Sequence, residues 1–223
     1  MNVKKISKNK ILIFILTLVL LFPTVRADAT IGNINSFIYS NDYFQGDYRG
    51  VDSIAQYFRN VGMSAVMTER PNIIYGVQQY FKNSESVYIS THGTEDGGEL
   101  VLDNSNASKH VLFKSSDVPK NMDCKLAYLS ACYSAKTNVN TRKNLCSTLI
   151  SNGYQAAIGY TEAVSNTIAK EFEREFYSHL AKGESVYSSL DSTEKYMSET
   201  YRWTCEAFLS SVQPFGNQGL TLE

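Results

Sequence analysis

Residues 126–135 read LAYLSACYSA. Leu126, Ala127, Tyr128 and Leu129 suit a strand buried on both faces, as in a parallel sheet covered by helices. Ser130, Ala131 and Cys132 follow, small residues that let the backbone turn and leave a thiol at the strand's exit. The carboxyl ends of strands are where open α/β sheets carry their chemistry. Forty residues earlier, VYIST (87–91) runs into His92 and Gly93 with the same grammar. Two neighbouring parallel strands of this kind bring an imidazole and a thiol to one edge, the pair used in nucleophilic catalysis by cysteine. The competing reading of Cys132 is an inert core thiol.

Working outward, the amino-terminal end has its own logic. Lys4, Lys5, Lys8 and Lys10 precede an apolar run of twelve residues from Ile11 to Phe22, which Pro23 breaks. Small residues follow at Ala27 and Ala29. A charged head, a short apolar middle and a small-residue cleavage site predict an export signal over residues 1–27, cut after Ala27 or Ala29. The run falls short of the roughly 20 residues that span a bilayer, so no stable membrane association is expected after cleavage. Residues 28–223 are then expected to form a single domain, secreted or otherwise held outside the cytoplasm. Removing residues 1–27 takes away five positive charges and no acid, moving the formal net charge from −1 to −6. A mildly acidic chain without a basic stripe argues against nucleic acid as a partner.

Four cysteines remain: Cys124, Cys132, Cys146 and Cys205. In an exported protein two disulfides are one reading. If Cys132 is a nucleophile, at most one bridge forms among Cys124, Cys146 and Cys205, and the spacing does not choose a pairing. No CxxC pair or His/Cys cluster has the spacing of a zinc site, so neither metal nor other cofactor is expected.

Strands and helices alternate. Residues 35–40 (NSFIYS) predict a strand, 50–61 a helix with Val51, Ile54, Ala55, Phe58 and Val61 on one stripe, and 65–67 a second strand. Pro71 opens a second helix, and residues 86–91 form the strand that leads to His92. This rhythm implies a parallel sheet with right-handed crossovers. Gly97-Gly98, ELVLD and HVLF then predict a small antiparallel hairpin over the sheet's carboxyl edge. Residues 126–130 and 155–160 are further strands, separated by a helix over 141–150. Val164, Ile168, Phe172, Phe176 and Leu180 recur at four-residue steps along another helix, closed by Gly183. A last helix covers 185–201, and AFLSSVQPFGNQGLTL reads as a strand, a glycine turn and an extended tail.

A strand ending in His92-Gly93, followed by one ending in Ala131-Cys132, resembles the caspase-like cysteine peptidases of clan CD. The LSAC spelling is closest to CHAT-type domains, with clostripain and gingipain as further relatives. The order of elements is similar too, over nearly all of 35–222. The resemblance implies a caspase-like three-layer α/β sandwich, with a mostly parallel six-stranded sheet whose sixth strand runs antiparallel. It also implies a cysteine endopeptidase acting on polypeptides, with His92 and Cys132 as catalytic dyad and the backbone N–H groups of Gly93 and Cys132 as oxyanion hole. A catalytically silent exported binding module on the same fold is the alternative. Clostripain-like relatives with a preference for Arg or Lys often carry Asp two residues before the nucleophile; here Ser130 stands there, and a hydroxyl does not supply that charge. Tyr160, Thr161 and Trp203, the only tryptophan, are further pocket candidates. His110 belongs to the hairpin, and His179 rides the core-forming helix as a surface residue.

Overall fold

The computed structural model describes residues 54–57, 59, 74–84, 86–96, 98–103, 111–120, 124–202 and 205–222. The expected signal segment, the strands at 35–40 and 65–67, His110 and Trp203 lie outside the described residues. Of the helix expected over 50–61, residues 54–57 and 59 are helical, with Ile54 and Ala55 buried.

In chain order the elements are α1 (Ile74–Asn83), β1 (Ser86–Ser90), β2 (His92–Gly93), β3 (Leu100–Asp103), β4 (Val111–Phe113), a 3-10 turn (Ser115–Asp117), β5 (Leu126–Ser130), α2 (Leu145–Ser151), β6 (Ala156–Tyr160), α3 (Asn166–Leu180), α4 (Val186–Tyr201), the single-turn α5 (Glu206–Leu209) and β7 (Val212–Gly216). Four of the strands form one sheet in the order β1-β5-β6-β7. β1 pairs parallel with β5 and β5 with β6, whereas β7 closes the sheet antiparallel to β6. The remaining three, β2-β3-β4, make a small antiparallel sheet.

Side-chain alternation along the central strands explains the layering. Tyr88, Leu126, Tyr128, Ile158 and Tyr160 face one way, into a core shared with Phe172, Phe176 and Leu180 of α3 and with Val186, Leu190 and Met197 of α4. Val87, Ile89, Ala127, Leu129 and Ala157 face the other way. They meet Val77 and Phe81 of α1, Leu145 and Leu149 of α2, and Leu100 and Phe113 of the small sheet. Both faces of β5 are therefore dry, which is why its sequence shows an unbroken apolar run.

Three expected boundaries shift, each for a local reason. The helix expected from 141 begins at Leu145, because Asn144 caps it: its side chain accepts the Ser147 N–H at 2.7 Å. The preceding residues wind around Asn138, whose Oδ1 accepts the N–H groups of Asn140 and Thr141 at 2.9 Å each. Val164 lies before α3 rather than on it, with Ser165 in the capping position. In the terminal stretch, residues 206–209 form a helical turn, and strand geometry starts only at Val212.

All four cysteines are free thiols. Cys124 and Cys146 sit in the core on the α1/α2 side of the sheet and Cys205 in the core on the α3/α4 side, so the sheet separates Cys205 from both. Among the described residues no helix is long and apolar enough to cross a membrane.

Candidate active site

The site is assembled by register. Ser90, the last residue of β1, lies opposite Ser130, the last residue of β5. His92 and Cys132 are each two residues beyond that pair, so a parallel ladder delivers both to one edge. Beyond Ser90 the chain changes sheets. The Thr91 N–H donates to the Ser130 carbonyl at 3.0 Å, while its hydroxyl donates to the Val101 carbonyl of β3 at 2.5 Å. His92 and Gly93 then pair with Val101 and Leu100 as a two-residue strand of the small sheet.

Gly93 packs on the main chain of Cys132. A Cβ at position 93 would fall 1.7 Å from the Cys132 carbonyl oxygen and 2.9 Å from its carbonyl carbon, so only glycine fits without moving the backbone. Gly93→Ala is expected to destabilise the fold by about 2 kcal/mol through overpacking, a fall in melting temperature of about 5 °C. Unchanged melting would mean that the two strand exits are not in contact.

Past Cys132 the chain makes a tight turn, with Tyr133 at φ 61° in the left-handed region. The buried Ser134 holds this turn in place: its hydroxyl donates to the Leu129 carbonyl at 2.8 Å and accepts the Tyr160 N–H at 3.1 Å. Ala135 N–H donates to the Tyr160 carbonyl at 2.9 Å. Cys132 is partly exposed, unlike Cys124, Cys146 and Cys205, which are buried. Burial pushes the Cys146 thiol up, out of the range in which it ionises near neutrality. His92 is half-buried, and the loss of water pulls its imidazole below the ordinary histidine range. Burial thus favours the neutral ring, the form that accepts a proton.

Beneath this edge lies a group with no counterpart in the sequence reading. Glu173 of α3 is wholly buried. Its carboxylate accepts hydrogen bonds from the hydroxyls of Tyr88 and Tyr160, the latter at 2.6 Å, and from Ser130. Tyr128 lies 3.0 Å from the Tyr160 hydroxyl, and because Tyr160 donates to Glu173, Tyr128 donates to Tyr160. Desolvation raises the Glu173 carboxyl above the usual carboxylate range, and the hydroxyls and the Lys170 charge only partly oppose it.

The pocket candidates thus separate. Ser130 is part-buried at the edge and tied to Glu173. Tyr160, expected on a cleft wall, is wholly buried, since its strand faces the α3/α4 core and its hydroxyl is used by Glu173. Thr161 is part-exposed at the exit of β6, its N–H donating to the Ser211 carbonyl at 2.9 Å. His179 ends α3 between two carboxylates, with Nδ1 2.8 Å from Glu184 and Nε2 3.4 Å from Glu175. No metal-holding cluster of His, Cys, Asp and Glu occurs among the described residues.

An α/β sandwich with its parallel strand exits under a small antiparallel sheet is the caspase-like fold. Gingipain R (RgpB), an Arg-specific cysteine proteinase, superposes with a TM-score of 0.67 at 15% identity, over 87% of this chain and 48% of its own. The complex of Porphyromonas gingivalis RgpB pro- and mature domains gives 0.66 at 16% identity, over 87% and 49%. Saccharomyces cerevisiae separase, in complex with securin, gives 0.56 at 15%, over 83% and 12%. The chain thus spans about half the length of the gingipain structures and a small part of separase, and at these identities the likeness is one of fold. The sequence itself matches the CHAT domain family over residues 51–213, and the chain belongs to that family. No curated protein matches it.

Proposed function

We propose that the chain is a cysteine endopeptidase working through His92 and Cys132. The observation that carries this reading is the common register of the two strand exits, with Gly93 packed on the Cys132 main chain. In the reaction the Cys132 thiolate attacks the peptide carbonyl, and the carbonyl oxygen takes the electron pair. The N–H groups of Gly93 and Cys132 stabilise that oxyanion. His92, having taken the thiol proton, gives it to the departing amine, leaving a thioester. Water, activated by the neutral imidazole, then releases the acid and restores the thiol. Ser130 and Thr161 border the cleft in this reading, while Tyr160 supports Ser130 from beneath through Glu173.

The test is incubation with a proteome-derived peptide library, with Cys132→Ala as control. Cleavage by the wild type alone is expected, and the cleaved bonds report the residue preference. No cleavage by either protein, together with failure of an acyloxymethyl-ketone probe to label Cys132, would favour the silent binding module.

Export is the second element of the proposal, supported by the Lys-rich head and the short apolar run before Pro23. Mass spectrometry of the protein from its native host is expected to show a chain starting at Asp28 or Thr30. A mature species that keeps Met1 would overturn it.

A further inference from the structure

The sulfur of Cys132 is held from outside its own turn. In the connection between β6 and α3, the main-chain N–H of Val164 donates to Sγ from 3.4 Å, while the thiol donates back to the Val164 carbonyl only across the longer 3.8 Å, so the shorter contact is the one that prefers the ionised sulfur. This connection is fastened on both sides of the contact. Tyr133, next to the thiol, donates its N–H to the Glu162 carbonyl at 3.1 Å, and Thr161 donates to Ser211 at 2.9 Å. Glu162 and Ala163 are exposed, whereas Val164 turns inward and packs on the α3/α4 core beside Ile168. The position of the Val164 peptide is thus fixed by its own side chain rather than by the cysteine.

A donor aimed at sulfur is of unequal use to the two forms of the thiol. Hydrogen bonds to an ionised acceptor are roughly twice as strong as those between neutral groups. We propose that the Val164 N–H is a built-in holder of the Cys132 thiolate, a main-chain donor that favours the ionised sulfur before any substrate arrives. Its catalytic meaning rests on the peptidase reading above; the chemistry of the sulfur does not. Around the turn stand His92 on β2, Glu95 beyond it, Tyr133 and Glu162, and the test leaves all four unchanged.

The experiment replaces Val164 by its α-hydroxy analogue, so that an ester oxygen stands where the N–H was. The readout is alkylation of folded protein by iodoacetamide at pH 7, in which the thiolate forms an S–C bond and iodide leaves. Mass spectrometry assigns the modified cysteine, and because the other three are buried, modification of Cys132 alone certifies that the fold is intact. The ester protein should react about 10-fold more slowly than wild type. In strongly alkaline buffer the two should converge, because every thiol is then ionised. The same ester at the exposed Ala163 should have no effect, and Val164→Pro, which also lacks the N–H, should repeat the deficit in a fully encoded chain. A wild-type rate at pH 7 in the Val164 ester overturns the proposal. So does a deficit that persists in alkali, since that marks a blocked thiol rather than a less ionised one. Peptide hydrolysis does not enter these readouts, so a failure of the peptidase reading is seen separately.

Discussion

Cys132→Ala is expected to abolish peptide hydrolysis, and His92→Ala to lower it by a comparable factor, on the order of 10³ or more. In the proposed dyad neither group is useful alone: without the thiol nothing would attack the carbonyl, and without the imidazole nothing would take and return the proton. Residues that act as one unit lose their effect together, so the double variant should be scarcely slower than either single one. Cys132 is only partly buried, and its replacement by alanine should leave the melting temperature close to wild type. Full activity in His92→Ala would sink the assignment. Unfolding of Cys132→Ala would instead identify the thiol as part of the core.

Glu173→Ala is expected to be strongly destabilising. It removes the common acceptor of Tyr88, Tyr160 and Ser130 and takes this partner from two buried tyrosine hydroxyls and a part-buried serine. Breaking a buried polar network of this kind costs about 3–5 kcal/mol, a fall of roughly 10 °C in melting temperature for a domain of this size. Glu173→Gln separates charge from shape. Burial raises the folded carboxyl above its unfolded value, so the folded state holds the proton more tightly. The stability this contributes is fully present below the ordinary carboxylate range and is lost as pH rises through the folded value. Glutamine has no proton to lose, so its stability relative to wild type should improve as pH is raised through that window. Melting curves that run parallel at all pH values would show that Glu173 does not titrate as its burial demands.

The legibility of the sequence followed burial. β5 was readable to the residue because both faces are dry and the run ends in small residues at Ser130. The α3 stripe through Phe172, Phe176 and Leu180 was readable for the same reason. Glu173 was not, because a charged residue in EFEREF resembles a solvated position, and its burial depends on tyrosines from β1, β5 and β6 that only the folded sheet brings together. The neighbouring stripe through Ala169, Glu173 and Tyr177, all buried, was the available signal. Helical spacing alone starts α2 at 141, before the cap, and Asn144 moves that start to Leu145. The Val164 contact has no sequence signature at all, since a main-chain donor is independent of the side chain.

Thr91 gives one hydrogen bond to each sheet, its backbone to β5 and its side chain to β3. The two sheets are joined at this edge by the Thr91 bridge, by the Gly93 main chain against that of Cys132, and by Leu100 and Phe113 in the shared core. The edge is a stitched seam rather than a hinge, so the relative placement of the two strand exits is set when the chain folds.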